Sequence, residues 1–541
     1  YKVLQTPTTA TLRPERDKSV NFDAAQHVFI EGENLEVLKV LQKAYFGKVK
    51  LIYIDPPYNT GSDSFIYPDR FQESKEDYLR RINDLDDDGT LMREGFFRKN
   101  SKESGHYHSN WLSMMLPRLY IARNLLREDG VIFVSCDDNE VHNLRCLMNE
   151  VFGEENFVAQ MVWEGANKNT ADQIGTDHEY VLVFARLRAS VPKTWKLSKD
   201  GVNPVLREVE RLKAKHGEDY DAASEELAGW FRAMKATPSF AHRRYRFIDK
   251  RGAYKEENPT APGGRKFQLI DPRTGTEIRL KPGRGWAFDQ DEFNRMVDEG
   301  RISFITPTSI MVRLYLHETD CATPQSVFYQ PARSASERLE KFLGGTYFPY
   351  PKDEEVIRQF VEMATDNADD DCIVMDFFAG SATTAHAVLD QNARDGGARK
   401  SILIQLPEPV DTEEVNKAGF DSIADISRER FKKRIKMVEA SSDLVTSSEG
   451  IGMKSFVLAP SNFKQWRGDG IDTPEQLAEQ IELFGKSEKE GAAVEDMLYE
   501  LLLKFGQELT TPVETLEVAG GKVFAIQARK MVFVLESFAE A

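Results

Sequence analysis

A chain of 541 residues with 41% hydrophobic and 29% charged content has the composition of a globular protein of about two to four domains. No apolar run approaches the roughly 20 residues needed to span a bilayer, and no secretory signal is visible, although a chain opening at Tyr1 is expected to be trimmed. Four scattered cysteines (Cys136, Cys146, Cys321, Cys372) exclude a disulfide framework and point to the cytoplasm, and a net charge of −17 speaks against a protein that coats nucleic acid evenly.

In chain order, His27 to Ile30 reads as a short strand. Leu35, Leu38 and Leu41 follow at helical spacing, and Val49 to Ile54 is a buried strand. A helix from Trp111 to Leu126 is expected to be closed by Gly130, with a strand beginning at Val131. Phe157 to Trp163 and Tyr180 to Phe184 look like a strand pair, and the β-α-β rhythm argues for a doubly wound α/β sheet.

From about Ala166 to Gly345 that rhythm stops. Charged helical stretches (Glu208 to Glu226), Gly/Pro-rich turns and short β runs replace it. The stretch is too long for a loop, so an inserted domain is expected over 166–345, between halves at 1–165 and 346–440. The rhythm resumes with a helix from Glu354 to Met363, a strand from Ile373 to Asp376, a helix from Thr383 to Asn392, a strand from Ser401 to Leu406 and a helix near Ile426 to Glu439. After a polar linker at Ser441 to Gly450, residues 441–541 are expected to form a small α+β domain. Asp86 to Asp88 and Asp369 to Asp371 read as solvated turns.

Two motifs carry chemistry. Asp55-Pro56-Pro57-Tyr58 follows a buried strand, at the carboxyl end where open α/β sheets bind ligands. Asp55 and the Pro56 carbonyl can each accept a hydrogen from an exocyclic amine. Pro56 and Pro57 stiffen the backbone, and Tyr58 offers a ring on which a flat heterocycle such as adenine stacks. The second motif, Asp376-Phe377-Phe378-Ala379-Gly380-Ser381-Ala382-Thr383, joins another apolar strand to a helix. Its small residues let backbone approach a polar ligand, while Phe378 can pack on a flat ring. Beyond the next strand, Glu408 suits ribose hydroxyls, with Gln405 as an alternative.

Between Arg232 and Arg284 lie 14 basic and 5 acidic residues, 14 − 5 = +9, with Tyr245, Phe247 and Trp286 interspersed. Arg243, Arg244, Arg246, Arg251, Lys266, Arg279 and Arg284 are candidate DNA contacts from this stretch. Cys136-Asp137-Asp138 either faces the cleft or caps the next helix. His106 and His108 have no ligand cluster in the sequence, and no metal is expected. No GxxxxGK[ST] sequence occurs, so ATP-driven movement would belong to another chain.

These residues carry a resemblance. Phe29 to Leu38 resembles motif X, Gly47 to Gly61 surrounds DPPY, and His108 to Arg123, Val131 to Phe152, Asp376 to Val388, Pro460 to Phe463 and Leu501 to Val513 also match. Together they resemble the modification subunits of type III restriction–modification systems, which are beta-class adenine-N6 DNA methyltransferases. The resemblance implies a class I methyltransferase-like sheet in permuted motif order, with a target-recognition domain in the insert. It implies S-adenosylmethionine as cofactor, with Phe378 and Gly380 of the FxGxG segment at it, and DPPY as the base-holding site. Asp376, Ala379, Ser381, Thr383, Glu408, Glu33 and Asn34 are the further candidate cofactor contacts, and a target inside double-stranded DNA must be flipped out to reach DPPY. The resemblance further implies a second copy and a restriction ATPase/endonuclease subunit as partners. Ala382 departs from the family's FxGxG, where altered contact without lost binding is expected. A catalytically silent specificity subunit, or a methyltransferase acting on cytosine N4 or RNA, is the alternative.

Overall fold

The computed structural model describes residues 7–60, 107–165, 174–366, 369, 371–410, 412–440, 450–464, 488–518 and 521–535. His106, Asp86 to Asp88, Asp370 and most of the expected linker lie outside them.

The chain divides into two compact units, residues 1–193 with 325–541, and residues 194–324. The first is built on a ten-stranded sheet. Its order is Ala10–Pro14, Met453–Pro460, His27–Glu31, Lys400–Gln405, Ile373–Asp376, Val49–Ile54, Leu126–Cys136, His178–Ala185, Phe157–Glu164 and Val327–Tyr329. The strands from Met453–Pro460 through Leu126–Cys136 run parallel, and His178–Ala185 is antiparallel to both its neighbours.

Every residue of Val49–Ile54 and of Ile373–Asp376 is buried, which is why these strands read as nearly unbroken apolar runs. Lys50 is accommodated because its Nζ reaches Asp129 Oδ2 at 2.7 Å. Alternate side chains leave opposite faces of the sheet. Val28, Ile30, Ile402 and Ile404 join one core with the helices Asn34–Tyr45, Tyr107–Leu125, Val141–Phe152 and Val494–Lys504. Phe29 and Leu403 join another with Thr383–Asp395 and Ile423–Ala440. Helices therefore cover both faces.

Three expectations need correction. Gly130 does not close a helix: the helix ends at Leu125 and the strand already begins at Leu126. A Cβ at Gly130 would meet the Arg127 and Val49 carbonyl oxygens at 2.9 Å, so close backbone approach selects glycine there. The insert is also shorter than 166–345. His178–Ala185 pairs with two strands of the large sheet, Val327–Tyr329 pairs with Phe157–Glu164, and Leu339 and Leu343 pack with Ile426, so the compact insert spans 194–324. Finally, residues 441–541 form no separate unit. Met453–Pro460 is a strand of the large sheet, and Leu498, Leu502, Leu503, Ile526 and Phe533 lie in its core, because their apolar side chains find more area to cover there than in a short hairpin.

The second unit packs the helices Val202–His216 and Tyr220–Ala233 around one small core. Trp286, Phe288, Phe293, Ile302 and Ile310 form another beside an antiparallel four-stranded sheet. The helical charged stretches expected over Glu208 to Glu226 fall on these two helices, the first ending at Gly217, whose φ of +62° favours glycine.

Candidate active site

The two motifs lie 321 residues apart in sequence (376 − 55) yet share neighbouring parallel strands, with Met375 paired to Ile52. Their carboxyl ends are adjacent for that reason.

DPPY is held from behind. Trp111 Nε1 donates to the Pro57 carbonyl at 2.7 Å, and the Tyr107 hydroxyl donates to the Asn59 carbonyl. Asn59 turns the chain at a φ of +58° and donates from Nδ2 to Glu140 Oε1 at 2.5 Å. Glu140 is fully buried and is also bonded to His108 Nδ1 at 2.6 Å and to Asn143 Nδ2 at 2.8 Å. His108 thus has the carboxylate partner that the sequence did not reveal, and it braces the loop. Asp137 does not cap the next helix, whose N-cap is Glu140 with no side-chain cap bond; its Oδ1 and Oδ2 accept from Asn139 N and Nδ2, at 2.9 and 2.7 Å, in the turn before it.

Ahead of this scaffold sits a half-buried charged cluster. Lys352 Nζ donates to Tyr58 Oη and to Glu179 Oε2, both at 2.6 Å, while Tyr58 Oη donates to Glu179 Oε2 at 3.0 Å. The same ammonium lies 4.9 Å from the centre of the Tyr58 ring and 3.4 Å from Asp55 Oδ1. Asp55 Oδ1 is buried with no hydrogen-bond partner. Burial raises the Asp55 pKa, and Glu179 adds to the rise while Lys352 opposes it. Burial opposes charge on Lys352, but Asp55 and Glu179 outweigh it and its pKa ends above the ordinary value. Tyr58 is driven well above its ordinary value by burial and then by the carboxylates.

In the second motif most of the expected side chains shape the loop. Asp376 Oδ1 accepts from Phe378 N at 2.9 Å and Oδ2 from Thr384 Oγ1 at 2.5 Å, and burial pushes its pKa up to about 7. Gly380, at a φ of +50°, donates from N to Gln405 Oε1 at 2.7 Å, so Gln405 is occupied in the turn. Ser381 Oγ and Thr383 Oγ1 each accept from the buried Arg430 Nη1 at 2.9 Å. Ala379 and Ala382 are buried, and Ala382 stands in the left-handed region at a φ of +62°.

Glu33 caps the Asn34–Tyr45 helix through Leu35 N and Glu36 N, and takes Arg118 Nη2 at 2.5 Å. Asn34 Nδ2 donates to the Phe377 carbonyl at 2.8 Å, which ties that helix to the loop. Two side chains take no part in this bracing. The Phe378 ring is half-buried, and the half-buried Glu408 carboxylate, with its pKa raised by burial, has no hydrogen bond or ion pair among the described residues.

The seven basic candidates belong to the second unit. Arg243, Arg244, Arg246, Lys266 and Arg279 are exposed, while Arg244 pairs with Glu257 at 3.0 Å and Arg251 lies 3.8 Å from Glu299. Arg284 is tied inward, with Nε on Thr260 Oγ1 at 2.7 Å and Nη2 on the Thr260 carbonyl at 2.5 Å, so it serves the turn.

Sequence reasoning missed Lys352, Glu179, Arg118 and Arg430. The available signals were a lysine directly after Pro349-Tyr350-Pro351 and a glutamate second in a strand whose later residues are mostly apolar. Arg430 lies on an amphipathic helix with nothing in the sequence to mark it.

Residues 49–408 match the family model for DNA methylases. The chain is 32% identical over 518 residues to the EcoP15I Mod subunit, a type III restriction–modification enzyme of Escherichia coli, covering 93% of this chain and 75% of that one. It is 31% identical to the EcoPI Mod subunit of Escherichia phage P1, covering 92% and 74%. A solved M1.HpyAVI–SAM complex is similar at 12% identity and a TM-score of 0.29, covering 74% of this chain and 99% of that one. The chain belongs to the DNA methylases and, among them, to the Mod subunits of type III restriction–modification systems.

Proposed function

We propose that this chain transfers a methyl group from S-adenosylmethionine to adenine N6 in double-stranded DNA, at a sequence chosen by the 194–324 unit. One observation carries the amine reading. Asp55 Oδ1 is a buried acceptor that makes no hydrogen bond at the carboxyl end of a central strand, with only the Lys352 ammonium beside it at 3.4 Å, and such an atom is costly unless a ligand supplies the missing hydrogen.

The cofactor loop fits the donor. Gly380 in the left-handed turn brings backbone forward without a side chain, Phe378 offers a ring, and Glu408 is free for the ribose hydroxyls. Asp376, Asn34 and Arg430 hold that loop in shape. When bound, S-adenosylmethionine supplies an electrophilic methyl group.

The protein's part is to present the amine. The adenine N6 lone pair is delocalised into the ring, which makes it a weak nucleophile. Asp55 and the Pro56 carbonyl draw its two hydrogens aside, favour a tetrahedral nitrogen and stabilise the positive charge that grows there. The base must leave the duplex first, at a cost of about a few kcal/mol, and the Tyr58 ring receives it by stacking. Adenine over cytosine rests on the aspartate that opens the motif and on the likeness to Mod subunits. By the same likeness, a second copy and an ATP-dependent restriction subunit are its partners.

Nucleoside mass spectrometry on DNA from cells expressing the chain tests the reading. N6-methyladenine is expected, absent with Asp55→Ala, and N4-methylcytosine would overturn the choice of base. A chimera carrying a relative's 194–324 segment is expected to methylate a new sequence. A folded chimera that still methylates the original one would place recognition elsewhere.

A further inference from the structure

We propose that Lys352 and Glu179 are a paired positioning device that keeps Asp55 charged, ion-paired at 3.4 Å but not hydrogen-bonded, ready for the amine. This rests on the reading of Asp55 as the amine acceptor. Three observations support it. First, Lys352 makes its two short bonds to Glu179 and Tyr58, at 2.6 Å each, and stands at 3.4 Å from Asp55 Oδ1, which makes no hydrogen bond. Second, the three elements that bring these groups together are distant in sequence: the end of the Val49–Ile54 strand, the start of His178–Ala185, and the residue two before the Glu354–Ala364 helix. Third, one cation between two carboxylates leaves a net charge of −1 in the cluster, which complements the cation that forms at the amine nitrogen.

Each member alone would fail. Without Lys352, two half-buried carboxylates face each other and one takes a proton, which spoils Asp55 as an acceptor. Without Glu179, the lysine is free to close from 3.4 Å onto Asp55 Oδ1, and the hydrogen bond it then makes consumes the acceptor. Glu179 therefore withholds the lysine, and Lys352 keeps the charge. The pair also pins the Tyr58 hydroxyl, which fixes the ring that receives the base. The other titratable groups facing Asp55 are Tyr53 and Tyr58 on its own segment, Cys136 on the Leu126–Cys136 strand and Asp376 on the Ile373–Asp376 strand.

The test is the pH dependence of single-turnover methylation by the full chain on duplex DNA containing its site. Removing a cation raises the acceptor's apparent pKa, and removing a competing carboxylate lowers it. For Lys352→Met the acid limb is expected to move to higher pH by about one unit or more, and Lys352→Arg is expected to restore it. For Glu179→Gln the limb is expected to move the opposite way, with the plateau rate down about tenfold and KM for DNA and cofactor within about threefold of wild type. A purely structural role moves neither limb. Urea midpoints and cofactor affinity by calorimetry separate lost folding from lost positioning, and the isosteric Glu179→Gln keeps the test alive if Lys352→Met does not fold. Unshifted limbs in folded variants, or limbs that move in the same direction, would overturn the proposal. The product is identified in parallel, so N4-methylcytosine from the wild type would sink the adenine reading while leaving the opposed limb shifts as the measure of this one.

Discussion

Asparagine in place of Asp376 separates the carboxyl's charge from its hydrogen bonds. The side chain is almost wholly buried, its oxygens accept from Phe378 N and Thr384 Oγ1, and its pKa stands at about 7 against 3.8 for the free group. The cause is burial, which penalises the ionised form more than those two bonds favour it. A carboxyl with a raised folded pKa contributes stability that is fully present below the unfolded value and is lost as pH rises through the folded one. The loss runs at about 1.4 kcal/mol per pH unit and levels off above about pH 7. The substituted amide does not titrate, so the stability of Asp376→Asn relative to wild type should climb by roughly 2–3 kcal/mol from pH 5 to pH 7 and change little at higher pH. Thr384 can rotate to accept from the new amide, which limits the fixed cost to about 1 kcal/mol. Urea unfolding of both proteins without ligand at pH 5, 6, 7, 8 and 9 measures the difference, in which titrating groups not coupled to Asp376 cancel. A difference that is flat across pH 5 to 7 would refute the claim that this carboxyl is held neutral by burial.

Asp55→Ala should abolish methyl transfer while cofactor and DNA affinity, measured by calorimetry and gel shift, stay within a few fold; near-normal turnover would remove Asp55 from the reaction. At Ala382, glycine should leave stability unchanged within about 1 kcal/mol, because relief of roughly 1–2 kcal/mol of left-handed strain is offset by a lost buried methyl and a freer unfolded chain. Valine at the same position should destabilise by more than about 2 kcal/mol and weaken cofactor binding, since a branched side chain fits neither the φ nor the packing. Neutralising the exposed Arg243 and Arg244 together should weaken binding to all DNA sequences alike and reduce the slope of log affinity against log salt by about 2. A loss confined to the target sequence would instead make one of them a base reader.

The sequence by itself determined what is local. Buried parallel strands at Val49–Ile54 and Ile373–Asp376 were legible because strands covered on both faces must be apolar throughout, and DPPY was legible because its residue types carry their chemistry wherever the strand ends. Tertiary structure decided what depends on partners distant in the chain. It brought Asp55 and Asp376 to neighbouring strand ends through β-pairing across 321 residues (376 − 55), which no periodicity encodes. It drew His178–Ala185 and Met453–Pro460 out of the expected insert and tail, each paired on both sides within the large sheet, where their backbone groups and apolar side chains are both satisfied. It also gave several of the expected contact residues, among them Glu33, Asn34, Ser381 and Arg284, bracing hydrogen bonds within the protein, because a polar side chain is satisfied by the nearest partner and that partner is set by packing. Lys352 and Glu179 belong wholly to this second class: a lysine and a glutamate are ordinary in sequence, and only burial beside Asp55, where a charge cannot be left to water, gives each of them a task.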